Sequence, residues 1–192
     1  VVIIGAGIIG AATAFELAKA GIKTVSVDKN PAAGYGPTAA SCAIIRVHYS
    51  TLAGTAFAYE GYFHWRDWRD YLEVDDERGL AEFRETGCLV MRTQHNDYLE
   101  KHIALSTELG IPFAIWDTAK ITEVLPIYDL NGFGPPKLLS DERFGQPGDE
   151  HVKSGVFWPT AGYVTDPQLA THNLQRAAEA KGSRFVFGRR VV

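Results

Sequence analysis

The sequence predicts an α/β fold that opens with a β-α-β unit, and three observations near its start support this. Residues 1–4 form a continuous apolar run, which is typical of a strand buried on both faces of a parallel sheet. A glycine-rich segment follows at residues 5–10, and apolar residues then recur at helical spacing over residues 11–20. Residues 24–28 alternate β-branched and small side chains, which predicts a second strand ending in the carboxylate of Asp28.

The rest of the chain predicts helices and strands in mixed order. A long, aromatic-rich helix is expected over residues 51–72, and its aromatic stripe is more typical of core packing than of a substrate cavity. Residues 129–152, with adjacent prolines and several glycines, predict a polar loop. Further strands are expected at residues 88–91, 113–116, 155–158 and 184–192, and further helices at residues 98–109, 120–125 and 168–181.

Composition and charge exclude some classes of function. A formal net charge of −4 gives no basic footprint for nucleic acid, and no apolar run approaches the roughly 20 residues of a membrane span. The two distant cysteines and six scattered histidines predict no metal site and a reduced, cytoplasmic compartment. The chain lacks an initiator methionine and starts and stops within predicted strands, so we expect a fragment of a longer protein. A mitochondrial matrix location stays open if a transit peptide precedes it.

The segment Gly5-x-Gly7-x-x-Gly10 carries the clearest chemistry. It directly follows a strand and opens a helix, and Asp28 ends the next strand, which are the conditions for a dinucleotide-binding motif. Gly5 permits the tight turn, Gly7 lets a diphosphate approach the backbone, and Gly10 lets the helix pack closely. The alternative is a plain tight turn between a strand and a helix.

Asp28 and the residues after it distinguish among dinucleotides. A carboxylate accepts hydrogen bonds from ribose hydroxyls and repels a 2′-phosphate, which argues against NADP. NAD and FAD both fit the motif, but a nicotinamide-dependent dehydrogenase would usually continue with further β-α units. This chain instead runs through a small-residue loop, residues 31–41, towards the long helix, which favours FAD.

The order of several segments resembles the D-amino-acid oxidase superfamily of FAD enzymes, especially sarcosine oxidases, dimethylglycine dehydrogenases and glycine oxidases. The matching segments are GAGIIGAATAFELAKAG, VDKN, GPTAASCAIIRVHYS, RETGCLVM and GYVTDPQLATHNLQRAAEAKG. The resemblance implies a Rossmann-like FAD-binding domain at residues 1–78 and 160–192, incomplete in this chain. It also implies that residues 79–159 begin an antiparallel-sheet (α+β) domain that binds substrate.

The resemblance also implies cofactor contacts at matching positions. Diphosphate contacts would be made by Gly5, Gly7, Ile8, Ile9 and Gly10, and contacts near the adenosine ribose by Asp28 and Lys29. Contacts along the flavin would come from Thr38, Ala43, Ile44 and Ile45, and a backbone contact with adenine from Val191.

Arg46 and His48 are the catalytic candidates. Arg46 matches a sarcosine oxidase arginine that pairs with the substrate carboxylate, and a guanidinium fork suits that task. A fixed carboxylate would hold the reacting C–H bond over the flavin for hydride transfer. The alternative for Arg46 is a solvent-facing or salt-bridged side chain. His48 would be a nearby base or polar group, with a structural role as its alternative, and Tyr49 is similar.

These features predict an FAD-dependent enzyme that oxidises the C–N bond of an amino acid or an N-methylated amino acid. The acceptor of its electrons would be oxygen or an electron-transfer protein. Monomeric sarcosine oxidases carry a histidine and an arginine where this chain has Ala39 and Ala43, which favours a broader amine or amino-acid dehydrogenase. The alternatives are a related flavoenzyme with another substrate, such as glycerol 3-phosphate, and a non-catalytic dinucleotide-binding subunit.

Overall fold

A computed structural model describes residues 1–192, and it confirms the predicted α/β class. The strands are β1 (Val2–Ile4), β2 (Val25–Val27), β3 (Ile44–Ile45), β4 (Phe83–Arg84), β5 (Cys88–Arg92), β6 (Ala114–Asp117), β7 (Ser154–Trp158), β8 (Gly162–Val164) and β9 (Arg184–Val186). The helices are α1 (Ile8–Lys19), α2 (Leu52–Arg66), α3 (Trp68–Leu72), α4 (Tyr98–Glu108), α5 (Thr118–Val124) and α6 (Pro167–Ala180). No helix combines the length and the apolar character needed to cross a membrane.

The residues group into two compact units. The first unit contains residues 1–45, 61–86 and 162–192, and the second contains residues 46–60 and 87–161. These units are defined by contacts between residues. The predicted domains are instead defined by what they bind, cofactor or substrate. Their boundaries therefore stay a prediction.

The first unit contains a parallel sheet in the order β1-β2-β9. Helix α1 connects β1 to β2, which gives the expected β-α-β unit. Helices α1 and α6 pack together through small and apolar side chains, and Ile3 and Phe185 of the sheet pack against them. The first unit therefore has its core on the sheet face that carries Ile3.

The expectation that β1 is buried on both faces is wrong in this structure. Because side chains alternate along a strand, Ile3 points to the helices while Val2 and Ile4 point the other way. Val2 is 68% exposed and Ile4 72% exposed. The apolar run is a strand, as predicted, but only Ile3 of its three residues packs against the core.

Helix α6 begins and ends as its sequence predicts. The Asp166 carboxylate accepts hydrogen bonds from the N–H groups of Gln168 and Leu169, and Pro167 occupies the first turn. Gly182, with φ +94°, lies just beyond the end of the helix. The helix starts and ends within one residue of the predicted range, 168–181.

A second sheet of the first unit, β3-β8-β4, was not predicted. Its strands have only two or three residues, too few to show the two-residue alternation that identifies a strand. Residues 162–166 were expected only to lead into a helix. A Cβ atom on Gly162 would lie 1.9 Å from the carbonyl oxygen of Arg84, so the pairing of β8 with β4 requires glycine there.

The predicted single helix over residues 51–72 is wrong, because it is interrupted at Asp67. Asp67 has φ −104° and ψ 40°, which departs from helical backbone, although its N–H still donates to the carbonyl oxygen of Phe63 and its own carbonyl oxygen accepts the N–H of Tyr71. Of the aromatic stripe, Tyr62 and Trp68 are buried as expected, whereas Phe57 is 80% exposed.

The second unit contains an antiparallel sheet in the order β5-β7-β6, as the resemblance implied for this part of the chain. Its central strand β7 buries Val156 and Trp158. Residues 129–152 contain no helix or named strand, as predicted, although Asn131 and His151 form an isolated bridge.

Candidate functional site

The glycine-rich loop connects β1 to α1 and is hydrogen-bonded to the end of β2. Gly5 follows β1 with φ +103°, and its N–H donates to the carbonyl oxygen of Val27 at 2.8 Å. Gly10 lies in the first turn of α1, where a Cβ atom would be 2.0 Å from the carbonyl oxygen of Gly5. This close approach of backbone to backbone is possible only for glycine.

The N–H groups around the start of α1 divide into two sets. The N–H of Ala6 donates to Asp28 Oδ2 at 2.7 Å, and the N–H of Ile8 donates to Thr38 Oγ1 at 3.1 Å. The N–H groups of Gly7, Ile9 and Gly10 have no acceptor within the chain. Unpaired donors at the positive end of a helix dipole form an anion site, so this turn can bind a diphosphate.

Asp28 has a role that sequence reasoning missed. Its Oδ2 holds Ala6 of the glycine-rich loop, and its Oδ1 accepts the N–H of Asn30 at 2.8 Å. A carboxylate has about four lone-pair sites, so these two bonds leave acceptor capacity for a ribose. The side chain therefore fixes the loop and can still contact a nucleotide.

A cavity of about 340 Å³ lies beside the loop and brings together five of the predicted cofactor residues. These five are Gly5, Gly7, Asp28, Lys29 and Val191, and the lining also includes Arg189 and Arg190. The two arginines were missed because the sequence predicted a strand to residue 192, whereas β9 ends at Val186. Gly188, with φ +66°, turns the chain, and the N–H of Arg189 donates to the carbonyl oxygen of Asp28.

A smaller cavity of about 150 Å³ gathers the residues predicted along the flavin. Its lining is mostly apolar and includes Ile8, Thr38, Ala43, Ile44 and Ile45. Ile9 is 80% exposed, and neither Ile9 nor Gly10 lines this cavity or the larger one. Both cavities belong to the first unit.

Arg46 and His48 belong to the second unit and lie in very different surroundings. Arg46 is exposed, forms no ion pair within the chain, and has its guanidinium carbon 4.7 Å from the centre of the Tyr49 ring. His48 is only 3% exposed. Burial, with smaller contributions from His102 and Arg46, lowers the pKa of His48 to about 4, so its ring is neutral near pH 7.

One cluster of the first unit has side chains that can bind metals, namely Asp76, Glu77 and His172, whose ligand atoms lie within 4.8 Å of one another. Arg176 Nε lies 3.4 Å from Glu77, and His172 Nε2 lies 3.4 Å from Asp76. Asn173 Nδ2 also donates to Asp76 Oδ2 at 2.7 Å, so Asp76 and Glu77 each have a partner within the chain. The expectation that the chain has no metal site stays a prediction.

One comparison with known proteins identifies a family. A family model described as FAD dependent oxidoreductase (DAO) matches residues 1–192. No match was found among curated proteins.

Several solved structures have the same fold at low sequence identity. L-proline dehydrogenase from P. horikoshii has 21% identity and a TM-score of 0.77, over 100% of this chain and 44% of its own. Glycine oxidase from Geobacillus kaustophilus has 20% identity and a TM-score of 0.73, over 99% of this chain and 46% of its own. L-amino acid deaminase from Proteus vulgaris has 20% identity and a TM-score of 0.68, over 97% of this chain and 39% of its own. This chain thus spans less than half the length of each of these neighbours.

Proposed function

The chain belongs to the DAO family of FAD-dependent oxidoreductases, and from this premise we propose that it oxidises the C–N bond of an amino acid or an N-methylated amino acid. The observation that carries the proposal is the set of unpaired N–H donors at Gly7, Ile9 and Gly10, which fits the diphosphate of FAD. When bound, the flavin supplies the oxidation by accepting a hydride from the substrate. Oxygen or an electron-transfer protein then receives the electrons.

The larger cavity would hold the ADP portion of FAD. Gly5, Gly7, Ile8, Ile9 and Gly10 form the turn against which the diphosphate would lie. In the same proposal, Asp28 accepts hydrogen bonds from the ribose hydroxyls while it keeps the loop in place. The backbone at Val191 contacts the adenine, and Lys29, Arg189 and Arg190 place positive charge around the nucleotide.

The smaller cavity would lie along the flavin. Ala43, Ile44 and Ile45 give it an apolar wall that suits a flat aromatic ring system. Thr38 contributes a hydroxyl, which in the structure accepts the N–H of Ile8. Thr38 would therefore connect the diphosphate turn to the flavin side of the site.

Arg46 would bind the substrate carboxylate. It is exposed and forms no ion pair, so its fork of N–H donors is available for a bidentate contact. Proline and glycine, the substrates in the names of two structural neighbours, both carry a carboxylate next to the C–N bond. Anchoring this group limits the orientations of the C–H bond that gives up its hydride.

Replacing Arg46 tests the carboxylate role. We expect Arg46→Ala to raise the KM for the amino acid that reduces the flavin fastest by about 10- to 100-fold, because a charge-assisted contact contributes about 1.5–3 kcal/mol. Arg46→Lys keeps the charge but not the fork, so its KM should fall between those of the wild type and Arg46→Ala. Steady-state kinetics with glycine, sarcosine, L-proline and D-alanine measure this in the full-length protein.

Arg143→Ala is the matched control, because Arg143 is an exposed arginine of the same unit that pairs with its neighbour Asp141. Its KM should equal that of the wild type. An unchanged KM in Arg46→Ala would refute the carboxylate role. Turnover of glycerol 3-phosphate but of no amino acid would contradict the proposed substrate class.

A further inference from the structure

His48 lies in a buried stack of rings, two residues after Arg46 in the sequence. Its ring packs on the indole of Trp158 with the ring centres 4.0 Å apart and the planes at 23°. The ring of His102 lies on another side, with its centre 5.5 Å away. Trp158 is fully buried, and its Nε1–H donates to Ser106 Oγ at 3.0 Å, so the surface that receives His48 is itself fixed.

The residues on either side of His48 are also fixed, by burial and by hydrogen bonds. Val47 is fully buried. The Thr55 hydroxyl accepts the N–H of Tyr49 at 3.3 Å and lies 3.1 Å from the carbonyl oxygen of Tyr49, to which it can donate. Arg46 therefore projects from the start of a segment anchored at three consecutive residues. The exposed guanidinium has freedom only in its own side chain, since the backbone that follows it is fixed.

We propose that His48 is a positioning residue that holds Arg46 in place by stacking on Trp158. This inference rests on the proposed role of Arg46 in binding a carboxylate. It assigns His48 a different task from the catalytic base suggested by its place in the sequence. What the role requires of His48 is a flat ring of suitable size, and neither of its nitrogens takes part.

The surroundings of His48 fit this role and do not fit proton transfer. Its Nδ1 is buried without a hydrogen-bond partner, so no group of the chain is placed to relay a proton from that nitrogen. The charged and titratable groups that act on it are His102 and Arg46, and both oppose a positive charge on the ring.

Three substitutions in the full-length protein separate the two roles. His48→Phe keeps a flat ring and removes both nitrogens, His48→Leu keeps apolar volume without a flat ring, and His48→Ala removes the ring. The probe is acetate, the simplest carboxylate, titrated against the visible absorbance of the bound flavin. We expect acetate affinity close to that of the wild type in His48→Phe and a loss of about 10-fold or more in His48→Ala, because a small displacement of a positioned group has a large effect. His48→Leu should lie between them.

Steady-state kinetics provide the second readout. A positioning role predicts that His48→Phe keeps kcat and the shape of the pH profile of kcat/KM. A base role predicts that kcat falls by about 100-fold or more in His48→Phe, since a general base contributes at least that much, and that result would overturn the proposal. Because this outcome concerns the Phe variant, the proposal stays open to refutation even if His48→Ala does not fold.

The Arg46→Ala variant distinguishes failure of this inference from failure of the proposed function. If Arg46→Ala weakens acetate binding and His48→Ala does not, the positioning role is wrong and the carboxylate role stands. If neither variant changes acetate affinity, the carboxylate role itself is wrong.

Discussion

Gly10→Ala is expected to weaken FAD binding by about 100-fold or more, equivalent to about 2.8 kcal/mol of binding free energy. The added Cβ atom would lie 2.0 Å from the carbonyl oxygen of Gly5, and that atom belongs to the backbone and cannot rotate away. Relieving the overlap must move either the turn at Gly5 or the first turn of α1. Either movement displaces the unpaired N–H groups of Gly7 and Ile9 from the positions proposed to bind the diphosphate. Titration of the apoprotein with FAD measures the loss.

Gly61→Ala is the matched control for this substitution. Gly61 lies within α2, and a Cβ atom there would meet nothing within 4 Å. The change should leave FAD affinity unaltered and raise the free energy of unfolding by about 0.5–1 kcal/mol, because alanine favours a helix over glycine. Wild-type FAD affinity in Gly10→Ala would contradict the role assigned to the loop.

Acidification is expected to destabilise the second unit through His48. Burial lowers the pKa of His48 from 6.5 to about 4, so between these pH values the unfolded chain binds a proton that the folded chain does not. Stability from this group is therefore complete above about pH 6.5 and is lost as the pH falls towards 4. The total loss is on the order of 3 kcal/mol. Burial also lowers the pKa of His102, which adds to the effect in the same direction.

Denaturant unfolding of wild type and His48→Phe at several pH values between 4 and 7.5 isolates this contribution. The difference between the two proteins removes the effect of carboxylates that titrate in the same range. His48→Phe should lose less stability on acidification than the wild type, whereas His95→Phe, at an exposed position, should follow the wild type. Equal acid sensitivity of wild type and His48→Phe would show that His48 is not buried as a neutral ring.

The features predicted correctly from the sequence are those in which the signal and the structure occupy the same short segment. The turn at Gly5, the start of α1 and the two ends of α6 each depend on residues a few positions apart. The interruption at Asp67 was missed because the helical periodicity continues on both sides of it. The strands of two or three residues were missed because so short a segment has no measurable pattern.

The parts of the site that were missed depend on distant residues. Asp28 is predicted as a ribose ligand from the sequence, but its contact with Ala6 needs the turn to be folded back towards the end of β2. Arg189 and Arg190 reach the cavity beside the glycine-rich loop only because Gly188 turns the chain away from β9. The stack of His48 on Trp158 joins residues that are widely separated in the chain, and no local pattern indicates it.

The central claim is that the first unit binds FAD through its ADP portion. Its most direct test is titration of the purified full-length protein, freed of any flavin, with FAD and separately with FMN, which lacks the adenosine portion. We predict that FAD binds and gives the protein the visible absorbance of an oxidised flavin, while FMN does not bind and does not compete. Protein that stays colourless with FAD, or that binds FMN as tightly as FAD, would contradict the claim.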